Sequence, residues 1–420
     1  MKLVFYFFYN VLITLALPVA WVVAYFNDKL GSSLSGQKEI FKQVSSFRTL
    51  VESDPKPVIW THAASAGEFE QMRPLLTRLS EMDVYIFQTL TSSTIYYKVS
   101  HEKTFDGVCF LPWDVYPRVN RFIKLLQPTL FINTRHDIWP NLLLALNNNQ
   151  IRNILINANL YSNSFRLKPG IRVINRLVFN HIDKIYTGSE SLKSLLERLY
   201  DKEISVIGDS RFDQVSERAQ SNHSELISYD IIADRTVIVY GSVIQSDLAI
   251  VTEAIAKATK GNTFLHVIVP HETNEKELIP WEVALYRHKF KSIRKTEIEA
   301  YNGESVLIWN SVGQLADLYK YAQLAYIGAG FGAGVHSVTE ASIYNVPAAH
   351  GPKYDILAEA IDLVDEQLSS VVHSSDQLSE FLSLPSETIS ALSISINTFM
   401  SKRIGATDTI IKSEFSHTLV

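Results

Sequence analysis

The stretch "KPVIWTHAASAGEFEQMRP" (residues 56–74) joins an apolar run to a turn of small residues and then to a more polar segment. A strand that stops on small residues and restarts as a helix is typical of α/β folds, whose ligands bind at the carboxyl edge of the sheet. The turn contains one carboxylate, Glu68, directly after Ser65, Ala66 and Gly67. Taken alone, Glu68 is also explained as a solvated turn residue or as an acid favoured by the helix dipole.

The composition is that of a globular protein large enough for two domains. The chain has 420 residues, of which 46% are hydrophobic and 20% are charged, and these values exclude a disordered chain. The net charge of −5 argues against nucleic acid as a general partner. The single cysteine, Cys109, excludes an internal disulfide framework and a cysteine-based zinc site. These features fit two domains in a reducing compartment.

The first 28 residues differ from the rest of the chain. Residues 3–26 carry no charge, and their length is what a membrane span of roughly 20 residues needs. Asn10 and Pro18 interrupt this run, and only Lys2 precedes it, without a clean signal-peptidase site after it. We therefore predict an uncleaved membrane anchor over residues 1–28, either spanning the bilayer or lying in one leaflet. A buried hydrophobic helix is the alternative.

Beyond the anchor, short apolar runs alternate with helical patterns, which predicts parallel βαβ units. The alternation restarts after a polar stretch near residues 207–235, so we predict two doubly wound domains, at 29–210 and 211–420. The predicted strands of the first domain are "PVIWTHA", "DVYIFQT", "TLFINT", "NILINAN" and "DKIYTGS". Those of the second domain are "RTVIVYGS", "TFLHVIVPH", "ESVLIWN", "LAYIGAG" and "VPAAHGP".

The second domain contains a glycine-rich segment, "YIGAGFGAGVHSVTEASIYNVPAAHGP" (residues 326–352). Glycines let a backbone approach a ligand closely, and a helix start near Ser337 attracts phosphate. Glu340 follows in the first helical turns, where a carboxylate accepts ribose hydroxyls. The pattern is not the G-x-G-x-x-G fingerprint of dinucleotide binding, which disfavours an oxidoreductase. A tight strand–helix crossing explains the same glycines.

His271 directly follows the strand "LHVIVP" and so lies at the predicted ligand edge of the second domain. The segment "HETNE" begins like a zinc-protease motif, but Glu275 stands where the second histidine is required. The sequence also lacks the phosphate-binding P-loop pattern and the G-x-S-x-G pattern of serine hydrolases. Position alone distinguishes His271 from a structural histidine.

Seven segments, in one order, resemble the 3-deoxy-D-manno-octulosonic acid (Kdo) transferases of lipopolysaccharide synthesis. The resemblance runs from the apolar N-terminus to about residue 375. In the first domain, "HAASAGEFEQMRPL", "RHDIWPN", "INANLYSNSF" and "GDSRFDQV" resemble H-x-x-S-x-G-E, E-T-E-x-W-P-N, N-A-R-x-S-x-x-S and G-x-x-K-F-D. In the second, "VPHE" takes the place of P-R-H, "SVGQLADLY" that of M-G-E-L-x-x-x-Y, and "GAGVHSVTEASIYNVPAAHGP" that of G-G-H-N-x-L-E-P-A-x-x-x-x-P-V-x-x-G-P.

The resemblance implies a GT-B glycosyltransferase fold, in which an acceptor domain and a donor domain face a cleft. It implies an inverting transfer of Kdo from CMP-Kdo to a lipid A precursor, without a metal or another cofactor. The implied location is the cytoplasmic side of the inner membrane, with the membrane surface as a further partner. Another membrane-tethered GT-B transferase with a different nucleotide sugar stays open, as does a catalytically reduced relative that binds a lipid or a partner.

The resemblance also implies roles for single residues. Glu68 is the implied general base, which removes the proton of the acceptor hydroxyl, and the other implied catalytic residues are Asp137, Arg135 and Arg211. The residues implied to bind CMP are Pro270, His271, Val312, Gly313, Gln314, Gly332, Gly334, His336, Ser337 and Glu340. Those implied to bind the acceptor are Ser65, Gly67, Arg73 and Ser164.

Several motif positions depart from the family pattern. Arg135 and Asp137 stand where the pattern has two glutamates, and Arg211 replaces its lysine. Asn159 and His271 stand where the pattern has arginines. Arg135 suits the carboxylate of Kdo or a phosphate of the acceptor, because a guanidinium binds both in a bidentate manner.

Overall fold

Alternating strands and helices form two α/β units, as the sequence predicted. The computed structural model describes residues 2–26, 28–135, 137–221, 225–232, 235–258, 263–355 and 357–416. The first unit comprises residues 1–214 and 403–420, and the second comprises residues 215–402.

The described residues contain the following elements in chain order. The strands are β1 (Val58–Ala63), β2 (Tyr85–Leu90), β3 (Gly107–Phe110), β4 (Leu130–Thr134), β5 (Arg152–Ala158), β6 (Lys184–Thr187), β7 (Ile204–Val206), β8 (Thr236–Val243), β9 (Phe264–Pro270), β10 (Ser292–Arg294), β11 (Val306–Ile308), β12 (Leu324–Ile327), β13 (Ala348–His350) and β14 (Ser369–Val371). The helices are α1 (Lys2–Ala24), α2 (Asp28–Ser53), α3 (Ala66–Ser80), α4 (Ser93–Val99), α5 (Tyr116–Leu126), α6 (Pro140–Asn148), α7 (Ile171–Phe179), α8 (Glu190–Leu196), α9 (Ser210–Ser221), α10 (Tyr229–Ile232), α11 (Leu248–Ala258), α12 (Glu275–Arg287), α13 (Leu315–Leu318), α14 (Thr339–Ser342), α15 (Ala358–Asp365), α16 (Ser375–Leu382), α17 (Ser386–Ser401) and α18 (Ala406–Phe415).

The first sheet has the strand order β3-β2-β1-β4-β5-β6-β7, and its strands are parallel. The order reverses at β1, with β2 and β3 on one side and β4 to β7 on the other. In doubly wound sheets, ligands bind in the crevice at the carboxyl ends of the strands where the order reverses. Glu68 follows β1 and Asp137 follows β4, so both lie at this crevice.

Strand β1 is buried along its whole length, as expected for a parallel sheet covered on both faces. Trp60 packs against Phe122 and Phe131, with ring centroids 5.0 and 4.4 Å apart. Helix α2 covers the neighbouring part of the sheet through buried apolar residues at helical spacing, namely Ile40, Val44, Phe47 and Val51. Burial of apolar side chains such as these stabilises the first unit through the hydrophobic effect.

Helix α1 lies against the first unit along one face. The side chains of Tyr6, Asn10, Ile13 and Leu17 recur at helical spacing and are partly or fully buried. The opposite face exposes large apolar side chains, namely Leu3, Val4, Phe7, Phe8, Val11, Leu12, Leu15 and Val19. The stretch Lys2–Val19 is long and apolar enough to cross a membrane. The predicted apolar helix is present, and its contact with a membrane stays a prediction.

The second sheet has the strand order β10-β11-β9-β8-β12-β13-β14, again with parallel strands. The order reverses at β8, which places the crevice between the carboxyl ends of β8 and β12. The glycine-rich segment follows β12 directly. The five predicted strands of this domain are all present, so the apolar runs identified them correctly.

The last helix belongs to the first unit, which corrects the predicted assignment of residues 211–420 to one domain. The backbone N–H groups of Gly405 and Thr407 donate to Asp213, at 2.6 and 2.7 Å, at the start of α18. Ile410 and Phe415 of this helix are buried in the core of the first unit. A carboxylate at the positive end of a helix and two buried apolar side chains hold the chain end there.

The glycine-rich segment is packed too closely for a side chain at Gly330. A Cβ atom added there would lie 2.5 Å from Gly351 N and 2.7 Å from its Cα. Gly330→Ala is expected to lower the stability of the second unit by about 1–3 kcal/mol, the usual effect of overpacking. Denaturant unfolding followed by tryptophan fluorescence measures the change.

Gly67→Ala is the control for this substitution, because a Cβ at Gly67 would meet nothing within 4 Å and alanine favours a helix over glycine. Equal unfolding midpoints for the wild type and Gly330→Ala would show that the two backbone segments separate easily.

Candidate active site

Glu68 is fixed at the start of α3 by a capping box. Ser65 is the N-cap residue, and its Oγ accepts a hydrogen bond from the Glu68 N–H at 3.4 Å. The Glu68 Oε2 atom accepts from the N–H groups of Ala64 and Ser65, at 2.8 and 3.0 Å. The side chain is only 6% exposed. Glu68 therefore has the helix-start role that the sequence left open, and its role as a base stays a prediction.

The residues around this carboxylate are small and exposed. Ser65, Ala66 and Gly67 are exposed, whereas Glu68 is buried beside them. Among the described residues outside the backbone of its own helix and its chain neighbours, no atom lies within 4 Å of the position that a Gly67 side chain would occupy. This free space at the end of β1 is where the sequence predicted an acceptor.

Asp137 is held by a buried histidine that the sequence analysis did not assign. His62, in β1, has no exposed surface, and its Nε2 lies 2.6 Å from Asp137 Oδ2. Its Nδ1 lies 3.0 Å from the carbonyl oxygen of Thr89 and 2.9 Å from the Thr89 hydroxyl. His62 therefore connects β2, β1 and the segment after β4. The histidine of the first family motif was the available signal for it.

Arg135 adopts an unusual backbone conformation at the end of β4. Its φ angle is +62°, a region that costs a residue other than glycine about 1–3 kcal/mol and that clusters at functional sites. Its N–H donates to the carbonyl of Ile156 at 2.9 Å, and its Nε is buried with no hydrogen-bond partner within the described residues. The neighbouring strand therefore holds the backbone of Arg135 in place.

A second arginine, Arg166, lies in the electrostatic field of Asp137. Burial lowers the pKa of the Arg166 guanidinium, and the Asp137 carboxylate opposes this shift. Arg166 was not predicted from the sequence, although it lies two residues after Ser164 of the third family motif. Because the motif arginine is replaced by Asn159, Arg166 supplies a positive charge from a different position of the same loop.

A buried polar network places Arg211 next to α3. Ser210 Oγ donates to the carbonyl of Gln71 at 2.6 Å, and the Asn157 amide donates to Ser210 Oγ at 2.7 Å. Asp209 accepts hydrogen bonds from the Gln71 side chain and from the N–H of Arg211. Arg211 is thus anchored beside the helix that carries Glu68. Asn157 and Ser210 are part of the site framework, although the sequence analysis did not assign them.

Two predicted acceptor residues already have protein partners. The Arg73 guanidinium donates to Glu70 and Glu102, at 2.8 and 2.9 Å. Ser164 Oγ accepts from the Arg166 N–H at 3.3 Å and begins the short 3₁₀ helix Phe165–Leu167. Their assignment to the acceptor stays a prediction, and these contacts give each of them a structural role.

In the second unit, Asp247 organises the turn that follows β12. Its carboxylate accepts from the N–H groups of Ile244 and Ala329, at 2.9 and 2.8 Å, and from the Tyr326 hydroxyl at 2.9 Å. Burial raises the pKa of Asp247. Asp247 was not visible from the sequence, because two of its three partners, Tyr326 and Ala329, lie about 80 positions away.

The glycine-rich turn brings several predicted donor residues together. The N–H groups of Gly332 and Gly334 both donate to the carbonyl of Ala329, at 2.9 and 3.1 Å. The rings of His271 and His336 stack with their centroids 4.6 Å apart and an angle of 9° between their planes. Burial, followed by the proximity of His271, lowers the pKa of His336. This edge thus combines a closely folded backbone with two imidazoles.

The helix predicted to start near Ser337 is α14 and begins at Thr339, with only four residues. The Ser337 and Thr339 hydroxyls lie 2.9 Å apart, and Glu340 is the second residue of the helix. A helix of four residues has a weak dipole, so its N-terminus attracts a phosphate less strongly than the sequence predicted. The polar side chains and the glycine backbone remain as the means of binding.

The remaining predicted donor residues end β9 or follow β11. Pro270 is the last residue of β9, and Val312 is 84% exposed. Gly313 has a φ of +84°, a conformation that favours glycine, and its carbonyl accepts from Arg218 at 2.8 Å. The Gln314 side chain accepts from Trp309 Nε1 at 3.1 Å. Among the described residues, no group of three or more His, Cys, Asp or Glu side chains is placed to hold a metal ion.

The connection between His62 and Asp137 makes a structural prediction. His62→Ala removes the buried partner of Asp137 and is expected to lower the stability of the first unit by about 1–3 kcal/mol, the usual cost of an unsatisfied buried polar group. Asp137→Asn, which keeps an acceptor oxygen, is the milder control. Thermal unfolding compares the two variants, and an unchanged transition in His62→Ala would contradict the assigned framework role.

Comparisons with known proteins agree with the predicted motifs. Residues 37–214 match the family model described as 3-deoxy-D-manno-octulosonic-acid transferase (kdotransferase). A 3-deoxy-D-manno-octulosonic acid transferase of Haemophilus influenzae is 25% identical over 310 residues, which cover 71% of this chain and 71% of that protein. A transferase of the same name from Chlamydophila psittaci is 25% identical over 323 residues, which cover 74% of this chain and 73% of that protein.

The two-sheet fold is also found in solved structures. UDP-GlcNAc 2-epimerase from Neisseria meningitidis matches with a TM-score of 0.60 and 14% identity, over 86% of this chain and 99% of that one. The chain has the predicted GT-B fold. The predicted resemblance to the Kdo transferases is confirmed as well, and the chain is a glycosyltransferase related to that family.

Proposed function

We propose that this glycosyltransferase moves Kdo from CMP-Kdo to a hydroxyl of a lipid A precursor, with inversion at the anomeric carbon, in lipopolysaccharide synthesis. The observation that carries the proposal is the position of Glu68. Two backbone N–H groups orient its carboxylate at the point where the strand order of the first sheet reverses. The exposed Gly67 next to it leaves space for a sugar.

In the proposed reaction, Glu68 takes the proton of the acceptor hydroxyl. The hydroxyl oxygen forms a bond to the anomeric carbon while the bond from that carbon to the phosphate oxygen of CMP breaks. The N–H groups of Ala64 and Ser65 both donate to Oε2, so the proton transfer falls to Oε1. A positioned carboxylate of this kind accelerates a reaction by about 10²–10⁴-fold.

The first unit also offers positive charge for the anionic groups of the substrates. Arg135 lies two residues before Asp137 in the sequence, and Arg166 lies in the electrostatic field of the Asp137 carboxylate. Arg211 is anchored beside α3. Guanidinium groups bind carboxylates and phosphates in a bidentate manner. We assign these arginines to the carboxylate of the sugar and the phosphates of the acceptor.

The second unit holds the nucleotide in this proposal. The stacked His271 and His336 and the folded backbone from Gly328 to Gly334 lie at the carboxyl ends of its strands. An imidazole N–H stabilises the negative charge that develops on the departing CMP. The proposed chemistry needs no metal ion.

For the membrane, we propose that α1 attaches the protein to the cytoplasmic face of the inner membrane. Tyr9 donates to Asp114 at 2.8 Å, and the Asn10 and Asn141 side chains lie 3.0 Å apart, which fixes the inner face of α1 to the first unit. Unpaired polar groups are costly in hydrocarbon, so polar bonds halfway along α1 favour a helix that lies in one leaflet. Its exposed apolar face is then the face in contact with lipid.

Arg135 favours one alternative, a relative that binds these ligands without transferring the sugar. It places a cation where the family pattern has a carboxylate. If that carboxylate is required for transfer, the chain keeps the fold and the binding groups but lacks activity. An assay of the wild-type protein with CMP-Kdo and a lipid A precursor separates the two functions.

The role of Glu68 is tested by Glu68→Gln. Glutamine also closes a capping box, so the fold is expected to survive, while transfer falls by about 10²–10⁴-fold because the proton acceptor is lost. The rate is measured with radiolabelled CMP-Kdo under single-turnover conditions.

Glu70→Gln is the matched control for the base, since Glu70 lies on the same helix and pairs with Arg73. It is expected to keep nearly full activity. Full activity in Glu68→Gln would reduce Glu68 to a capping residue and direct attention to Asp137.

The nucleotide site is tested by Glu340→Ala. The substitution is expected to weaken CMP binding by about 1–3 kcal/mol, the value of lost hydrogen bonds to hydroxyls, as measured by calorimetry with the full-length protein in detergent. Glu366→Ala, an exposed carboxylate at the end of α15, serves as the control. Identical CMP affinities for wild type and Glu340→Ala would place the nucleotide elsewhere.

A further inference from the structure

A cavity of about 270 Å³ lies between α1 and the carboxyl edge of the first sheet. On one side it is lined by Ile13, Ala16 and Leu17 of α1, and on the other by the ends of β2 and β3 with the residues that follow them. Trp113 and Trp139 complete the apolar wall. The proposed reaction does not use this space.

We propose that this cavity binds one acyl chain of the lipid acceptor, an inference that rests on the proposed function. Two polar residues of its wall, Asp114 and Gln37, are already engaged by the protein. Asp114 accepts from the N–H groups of Asn141 and Leu142, at 3.0 and 2.8 Å, and from the Tyr9 hydroxyl. Gln37 donates to the Leu111 carbonyl at 2.7 Å. Cavities with an apolar lining favour apolar ligands over water.

The cavity adjoins the proposed base through the backbone of the first sheet. Leu90, at its edge, pairs with Ala63 at the end of β1, and the Ser92 N–H donates to the Ala64 carbonyl at 3.1 Å. The N–H of the same Ala64 holds Glu68. A lipid whose head group meets Glu68 therefore has its chains next to this space.

Trp139, on the opposite wall of the cavity, lies close in sequence to the candidate site. Trp139 lies two residues after Asp137, and its buried indole N–H has no hydrogen-bond partner within the described part of the chain. The opposite wall thus joins the cavity to the segment that contains Asp137.

The cavity also continues toward the surface that we assign to the membrane. The inner side of α1 lines it, and the outer side of the same helix exposes apolar residues such as Leu12 and Leu15. An acyl chain passes from lipid into the cavity along one continuous apolar helix. The continuity of the cavity with this exposed apolar surface favours an acyl chain as the occupant.

The test fills the cavity without touching the proposed base. Ala16→Phe adds a ring on the cavity side of α1, and Leu12→Phe adds one on the outer face as the matched control. With full-length protein in detergent, Ala16→Phe is expected to raise KM for an acylated glucosamine disaccharide at least tenfold, with kcat nearly unchanged. KM for the same disaccharide without acyl chains is expected to stay at its wild-type value. Equal KM changes in the two variants, or equal changes for both acceptors, would overturn the proposal.

A binding measurement keeps this inference separate from the proposed function. A fatty acid brominated along its chain quenches the fluorescence of nearby tryptophans, and quenching is expected in the wild type and in Leu12→Phe but not in Ala16→Phe. Retained quenching in Ala16→Phe would refute the acyl site even in a protein that transfers no sugar. Quenching lost in Ala16→Phe, together with no transfer to either acceptor by wild type, would support the site and refute the reaction. Ser33→Leu fills the same space from α2 and replaces Ala16→Phe if that variant does not fold.

Discussion

The contact between His62 and Asp137 is the interaction on which the geometry of the candidate site depends. His62 is fully buried in the strand where the sheet order reverses, and its two ring nitrogens face Thr89 of β2 and Asp137 after β4. A buried imidazole must satisfy both nitrogens, so three segments of the crevice are fixed by one side chain. Glu68 lies in the first turn of α3, six residues after His62 along the chain.

The sequence predicted most of the fold because its strands are continuous apolar runs between turns of small residues. All ten quoted strand segments correspond to strands of the two sheets. The return of α18 to the first unit was missed, because it depends on contacts of Asp213 with Gly405 and Thr407 almost 200 positions away. No local sequence pattern shows which unit α18 packs against, because its own sequence is that of an ordinary short amphipathic helix.

The candidate site was predicted in part for a related reason. Glu68 was visible as a carboxylate after a turn of small residues, and Ser65-x-x-Glu68 is itself a capping-box pattern. Asn157, Ser210 and Asp247 were not visible, since each acts through partners far along the chain. Arg73 shows a different case, because this predicted acceptor residue is already paired with Glu70 and Glu102, and its binding role stays a prediction. The spacing of residues along the chain identifies side chains that are suited to a reaction. Tertiary contacts decide which of these side chains remain available for a ligand.

The charge at position 135 constrains how the proposed transfer works in this chain. The family pattern has a glutamate there, so Arg135 changes the local charge from −1 to +1. Its backbone is held by Ile156 in a left-handed conformation, and the residue is therefore a fixed part of the crevice. A cation at that place disfavours positive charge on the sugar ring and favours the negative charge of a carboxylate or phosphate. In the proposed reaction, we therefore assign Arg135 to the anionic groups of the substrates, and Glu68 and Asp137 remain the candidate catalytic carboxylates.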